Sequence, residues 1–551
     1  MHRLKSIKLY FFSFFKLFFL SIRNFYFKSN FYNKKLITFI PDRIFYNPST
    51  YLSASLTTSS NDFYKIEDAS PKLLWKIDAK DKLKFENLHS FLWLAKIDRK
   101  NNKIFTKNII TSWINTFYNY DPYTWEMETC AKRIIAWLSN TDIALENSDK
   151  EYRKKFFLSL VKQSNFLSKN LKILFYNPSK IICCASIILS GIVFKENYFN
   201  YKFGIRELEK IVDTYFDDNG FPKSRNPEEV YICIKYLILI REWLKESQKS
   251  VPDFLNQIIN KCGSCYAFLS CSNKQFPLFN GATEINYKNY DIFLKTLKYK
   301  FTNKNHEIGD LIKIKNKKLE FFIDSGNPPP NIYTKYYQAG CLAFELISNK
   351  QKVICNSGYA KYMSPNLASL SRSTAAHSTL YINDTSSCIF QKNKFINKIY
   401  GNSLIKKHKI IKKSYTEDKD FYTIAASHNG YEKIFGYIHT RLIKISKNED
   451  KIYGQDELKK TKNYSDVLNY FIRFHIYPDA KIVKTIAGNS ILISLTNGDG
   501  WTLLSKTNKF EIEKNIFLGN KNKILNNQSV SISGNIAEEA MTIKWIMERI
   551  N

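Results

Sequence analysis

Residues 372–384 read RSTAAHSTLYIND. One histidine, His377, sits among small methyl and hydroxyl side chains before STLYIND, an alternating segment closed by Asn and Asp. Alternation bounded by turn formers predicts a half-buried β-strand. Ala375, Ala376 and Ser378 leave room around the imidazole, and the segment begins a strand at one end of a sheet. The competing reading is a histidine hydrogen-bonded to a neighbouring loop.

The same texture extends outward from this stretch. LEFFIDSG, CLAFELISN, QKVICNSG, YTIAASHNG, HTRLIKISKN, KIYGQDEL, YFIRFHIYP, AKIVKTIAG, SILISLTNGDGWTLLS and EAMTIKWIM are short alternating runs with NG, GN and NGDG turns between them. Strands at such even spacing predict an antiparallel β-sandwich. Upstream, from about residue 85 to 300, apolar residues recur at helical spacing, as in NIITSWINTFYNY, CAKRIIAWLSNTDIAL, IICCASIILSGIVF and VYICIKYLILIREWLKES. These predict a large all-helical domain. A chain of 551 residues exceeds one ordinary core. The expected division is a basic aromatic segment over 1–40, a helical domain over 41–300 and a β-sandwich over 301–551, with the boundary in LKTLKYKFTNKNHE.

The first 28 residues, MHRLKSIKLYFFSFFKLFFLSIRNFYFK, place basic residues before an apolar stretch. Lys16 splits that stretch and no small-x-small cleavage site follows, so a signal peptide fits poorly. A basic, aromatic amphipathic helix is expected, packed on the protein or making peripheral contact with a membrane face. The net charge of +33 favours anionic partners. Its lysines are scattered through many loops alongside abundant Asn, Ile, Phe and Tyr, as base-composition drift would produce. No helix-turn-helix, RNA-recognition or finger motif accompanies them, and nucleic acid is not an expected partner. The ten cysteines form no disulfide framework, and Cys262-Gly-Ser-Cys265 lacks the second pair that a zinc site needs. No metal or cofactor is expected.

Eight histidines occur. His2, His306 and His408 lie in lysine-rich stretches and read as exposed; His89 reads as a structural histidine at an apolar helix. His439 with Arg441, and His475 with Arg473, fall on single strand faces, where such groups need partners if buried. In DDNGFPKSRNPEEVY, residues 217–231, Asn226 fits an N-cap with Pro227 first in the helix and Glu229 third, a capping box. A helix start beside Arg225 also suits an anion.

The pieces LHSFLWL, SWI, RIIAWLSN, SRNP, LFNGA, RSTAAHSTLYIND, GYIHTRL and IRFHIYPDA resemble, in this order, bacterial heparinase II/III-like proteins, polysaccharide lyases and their relatives. The resemblance spans roughly residues 40–550, and AAHSTLYIND is its most specific piece. It implies an incomplete N-terminal α/α toroid followed by a C-terminal antiparallel β-sandwich. It also implies a carbon–oxygen lyase that cleaves an acidic, glycosaminoglycan-like polysaccharide by β-elimination in the cell envelope or periplasm. Asn226 matches the helix-start position that meets the substrate carboxylate, and His377 the strand histidine of the cleft. Tyr287 is the expected catalytic tyrosine, although Tyr266 and Tyr290 are near and the family's Gly-Asp is Asn280-Gly281 here. Arg225, Arg372, His439, Arg441 and His475 are the expected substrate contacts. Phe221-Pro222-Lys223 stands where relatives often carry a histidine. The alternative function is a non-catalytic protein that binds an acidic polysaccharide during surface glycan synthesis or export, with Trp93, Trp113, Trp125 and Trp137 as candidate stacking platforms. A cytoplasmic or membrane-peripheral location is the alternative to the envelope.

Overall fold

The structure, a computed structural model, describes residues 2–57, 74–175, 177–316, 318–401, 403–462, 464, 467–521, 523–536 and 539–550. Two compact units emerge, neither contiguous in sequence. The first comprises everything up to Phe216 with Tyr231–Gly263 and Ile292–Tyr299; the second comprises Asp217–Val230, Ser264–Asp291 and Lys300–Asn551.

The first unit is helical. Its longer elements are α1 (His2–Lys28), α2 (Lys103–Phe117), α3 (Met127–Leu138), α4 (Lys150–Asn170), α5 (Pro178–Val193), α6 (Tyr198–Tyr215) and most of α7 (Pro227–Glu246) and α8 (Asp253–Leu269). Local chemistry sets where α5 begins: Asn177 Oδ1 accepts the Lys180 N–H at 3.2 Å, and Pro178 occupies the first turn. From Lys180 to Val193 every α5 residue is buried, Cys183 and Cys184 among them. α6 comes close because it carries Gly204, where a Cβ would lie 2.6 Å from Ile188 Cγ1.

Trp93, Trp113, Trp125 and Trp137 are all buried. Trp113 meets Trp137 edge-on at 5.4 Å and lies under the Arg133 guanidinium at 4.1 Å. These rings are core and cannot stack on a sugar. His89 is structural, its Nδ1 accepting the Trp113 indole N–H at 3.1 Å.

The second unit contains two large antiparallel sheets. One runs Glu307–Ile308, Leu311–Lys315, Leu319–Asp324, Phe344–Ser348, Gln351–Cys355, Leu468–Ile476, Leu525–Ile536 and Glu511–Phe517, with Leu380–Ile382 added against Leu468–Ile476. The other runs Lys481–Lys484, Ser490–Ser494, Gly500–Leu504, Ala540–Ile550, Lys451–Lys460, Tyr437–Ser446, Phe421–His428 and Ile410–Glu417. Phe344, Phe474 and Ile532 of the first sheet share one core with Ile443, Trp501 and Trp545 of the second, which makes the unit a sandwich. Alternation explains the burial: along Lys451–Lys460 every second residue from Ile452 to Leu458 is buried.

Overpacking the α5–α6 approach should be costly. Gly204→Val is expected to lose about 1–3 kcal/mol and lower the melting temperature, as read by thermal unfolding. An unchanged melting temperature would show that these helices are not held at glycine distance.

Candidate functional site

The segment 217–230 of the second unit delivers the start of α7. Asp217 Oδ1 accepts the backbone N–H groups of Asn219 at 3.0 Å and Phe221 at 2.8 Å, closing a turn around Gly220. Arg225 then adopts φ +63°, a left-handed conformation unusual for a side-chain-bearing residue. Asn226 caps α7, its Oδ1 accepting Glu228 N–H at 2.9 Å. The expected capping box closes through an intermediary. Asn226 N–H donates to Ser224 Oγ at 3.3 Å, and the Ser224 hydroxyl donates to Glu229.

Asp324, at the end of its strand, holds this turn in place. Its Oδ1 accepts from Arg225 Nη2 at 2.5 Å and from Gly326 N–H at 3.1 Å, and its Oδ2 accepts Asn280 Nδ2–H at 3.1 Å. Arg225 further donates to the carbonyls of Gly309 at 3.2 Å and Asn327 at 3.1 Å. A guanidinium so committed and only 6% exposed is a brace, which corrects its expected role as a substrate contact. Beside it, buried Glu228 accepts from Lys521 at 2.8 Å and from the Thr283 hydroxyl at 2.8 Å, with Lys361 at 3.6 Å. Burial works to raise the Glu228 carboxyl, but Lys361 and Lys521 pull it down to about 2.

His377 follows the short turn Thr374–Ala376. Its ring is buried, and its Nδ1 lies 2.8 Å from the Ser373 carbonyl. A carbonyl only accepts, so Nδ1 carries the proton and Nε2 presents its lone pair. That Nε2 has no partner among the described residues. Gly340 stands against it: a Cβ there would lie 2.6 Å from His377 Cδ2 and 3.1 Å from Nε2. Burial pushes the imidazole down to about 4, against the Ser373 bond and the charge of Asp324. The Tyr337 hydroxyl, also influenced by Asp324, is a second buried group without a partner among the described residues.

The other expected contacts are structural. Arg372 donates to the carbonyls of Tyr337 at 2.7 Å and Thr334 at 2.9 Å and covers the Phe390 ring at 4.0 Å. His475 Nε2–H donates to Ala375 O at 3.0 Å while Nδ1 accepts from Asn515 at 2.6 Å. Arg473 Nη1 reaches the same Ala375 carbonyl at 3.2 Å, so both side chains brace the turn that precedes His377. His439 and Arg441 do share a face, and both converge on buried Asp456, at 2.7 Å each. Trp545 Nε1–H completes that carboxylate at 3.0 Å. The chain of donors runs backward from there: His428 Nε2–H to His439 Nδ1 at 3.1 Å, and Gly430 N–H to His428 Nδ1 at 3.1 Å. Arg441 Nη1 also donates to Ser378 O at 2.9 Å, next to His377. Every polar side-chain atom of His439, Arg441 and His475 has a protein partner on this pattern, and these three residues and Arg372 are all buried.

Tyr287 is buried, its hydroxyl donating to Cys271 O at 2.6 Å among Tyr266 and Phe276. Burial pushes its phenol up, which makes it unsuited to acid–base work. Tyr336, which sequence reasoning passed over, is half-buried against Gly281, whose Cβ would lie 2.5 Å from Tyr336 Cβ. Lys335 and Lys361 place ammonium groups 4.9 and 5.5 Å from its ring centre. His408, expected exposed, is buried, donating to Gly326 O at 3.1 Å and accepting from Cys388 at 3.2 Å. All ten cysteines are free and buried. Among the described residues no three His, Cys, Asp or Glu side chains are grouped to hold a metal.

Residues 305–546 match the family model described as heparinase II/III-like, C-terminal. The sandwich is a heparinase II/III-like domain. Heparinase III superposes on the chain with a TM-score of 0.65 at 14% identity, covering 89% of this chain and 79% of that one. The heparan sulfate lyase HepC of Pedobacter heparinus gives 0.60 at 12% identity, covering 94% and 87%. The fold is thus that of heparinase III: a helical toroid region followed by an antiparallel β-sandwich. Among curated proteins, the FtsZ-localized protein C of Caulobacter vibrioides is 22% identical over 451 residues, 77% of this chain and 75% of that protein.

Two stability predictions follow from the buried groups. Arg225→Met leaves Asp324 charged and unpaired and should cost about 3–5 kcal/mol by denaturant unfolding; a loss below about 1 kcal/mol would contradict the brace. Burial holds His377 and His408 at about 4 and His475 at about 3, and lowers His428 and His439 as well. Between those values and the ordinary 6.5 the unfolded chain binds more protons, so stability present above pH 6.5 is lost as pH falls towards 4. Urea midpoints should drop steeply from pH 7 to pH 5, and a flat profile there would contradict the neutral buried histidines.

Proposed function

We propose that the chain cleaves an acidic, uronic-acid polysaccharide by β-elimination, with Asn226, His377 and Tyr336 at the reacting sugar. The observation that carries this reading is the orphaned Nε2 of His377. A buried lone pair without a donor costs about 1–3 kcal/mol, and such a cost is retained where the group has a task. The fixed tautomer makes Nε2 a proton acceptor, and depression to about 4 keeps it neutral at physiological pH.

β-Elimination needs three things of these residues. The amide of Asn226 hydrogen-bonds the uronate carboxylate and stabilises the enolate that develops when the adjacent carbon loses its proton. His377 Nε2 accepts that proton, the carbon–oxygen bond to the leaving sugar breaks, and a carbon–carbon double bond forms. The Tyr336 hydroxyl protonates the departing glycosidic oxygen, and proton exchange with solvent resets both groups. Half-buried Lys361 and Lys521 supply positive charge suited to an acidic chain.

A second reading is a non-catalytic protein that grips an acidic polysaccharide during surface glycan synthesis or export. It is favoured by the commitment of Tyr287 and of the four buried basic residues to internal bonds. For location, the cell envelope or periplasm suits the glycan reading, and the resemblance to an FtsZ-localized protein favours the cytoplasmic face.

Purified protein incubated with acidic polysaccharides should generate the absorbance of an unsaturated uronate. His377→Ala should lower that rate at least about 100-fold, and Tyr336→Phe comparably, with glycan affinity little changed. Binding without any absorbance rise would replace the lyase reading by the second one. Neither binding nor product on any acidic glycan would reject both.

A further inference from the structure

We propose that α1 is a membrane-docking helix that lies along the surface of a bilayer rich in anionic lipids. The proposal is independent of the glycan reading.

The helix is inside out. Ser13, Lys16, Leu17, Leu20, Arg23, Asn24 and Phe27 recur at helical spacing and form the covered side, buried or half-buried, so that from residue 9 onward Ser13, Lys16, Arg23 and Asn24 face the protein. Lys16 lies 5.6 Å from the Phe175 ring centre, Arg23 lies 5.4 Å from that of Phe27, and Asn24 Oδ1 accepts the Tyr120 hydroxyl at 3.3 Å. The opposite side is aromatic. Phe11, Phe14, Phe15, Phe18, Phe19 and Phe25 are each between 53% and 81% exposed. Phe11, Phe15, Phe18, Ile22 and Phe25 follow one another at intervals of four and three, a continuous apolar line. A helix of 27 residues extends about 40 Å, far more exposed aromatic surface than a solvated helix carries.

Charge selects the occupant. The first acidic residue of the chain is Asp42, and before it stand eight Lys and Arg residues, of which Lys28, Lys34 and Lys35 are exposed. A second copy would bring the same basic segment and another +33 against this one. Anionic headgroups neutralise it, while the phenylalanines enter the boundary between headgroup and acyl chain. Among the described residues no helix is long and apolar enough to cross a membrane, so α1 lies on the bilayer rather than through it.

The test is sedimentation of the full chain with vesicles of phosphatidylcholine plus phosphatidylglycerol, against phosphatidylcholine alone. Binding is expected to the mixed vesicles and to weaken at high salt. Phe15→Ser with Phe18→Ser should reduce the bound fraction about ten-fold or more, with circular dichroism and melting unchanged because both rings face outward. Lys28→Glu with Lys34→Glu should remove the preference for phosphatidylglycerol and leave the fold intact. Absence of phosphatidylglycerol-dependent binding would overturn the proposal, as would binding that the phenylalanine substitutions do not alter. Self-association without lipid, abolished by the same substitutions, would overturn it in favour of a chain–chain interface.

Discussion

One buried carboxylate, Asp324, ties together three stretches of the second unit. It receives Arg225 from the turn before α7, Asn280 from the 264–291 segment and Gly326 from its own loop. A buried carboxylate is tolerable only when its oxygens are filled, and a buried guanidinium only when its donors are. Each therefore fixes the other, and with it the left-handed backbone at Arg225 that presents Asn226 as the helix cap. Gly326 has no Cβ because one would lie 2.3 Å from Arg225 Nη2. The same charge reaches His377 and Tyr337, whose Nε2 and hydroxyl oxygen have no hydrogen-bond partner among the described residues.

A second carboxylate does comparable work deeper in the sandwich. Asp456 gathers His439, Arg441 and Trp545, and through His439 it sets the tautomers of a two-histidine chain. Arg441 carries this order on to Ser378 O, while His475 and Arg473 hold Ala375 from the other side. His377 is thus fixed from both flanks. The basic residues that a strand-face pattern offers as glycan contacts serve instead to position one imidazole.

Sequence patterns made the elements legible where local chemistry dominates. Asn226 before Pro227 announced a cap, the NGDG turn at Asn497–Gly500 announced a hairpin, and His439 and Arg441 declared a shared face. Residue roles were less legible because partners lie far apart in the chain: Arg225 and Asp324 are separated by 99 residues, and Asn280 and Asp324 by 44. Nothing in LEFFIDSG distinguishes a strand-ending aspartate from a structural hub. His408 sits among lysines in KKHK, yet its ring turns inward while its neighbours turn out. The strand Leu525–Ile536, LNNQSVSISGNI, reads as a loop because of its serines and asparagines, and Val530, Ile532 and Ile536 are its apolar side chains in the core it completes. The place of Tyr287 in the chain suggests a base, but its buried hydroxyl donates to Cys271 O, so chain position alone does not assign such a role.

His377 keeps a neutral imidazole with its proton on Nδ1 and a lone pair on Nε2. Nitrogen NMR of histidine-labelled protein, with the resonance assigned by His377→Gln, tests this directly. Nδ1 should be of the protonated type and Nε2 of the unprotonated type from pH 8 down to about pH 5, with protonation only near about 4 because the ring is buried, and Nε2 alone should shift when an acidic oligosaccharide is added. A proton on Nε2, or titration at the ordinary 6.5, would contradict it.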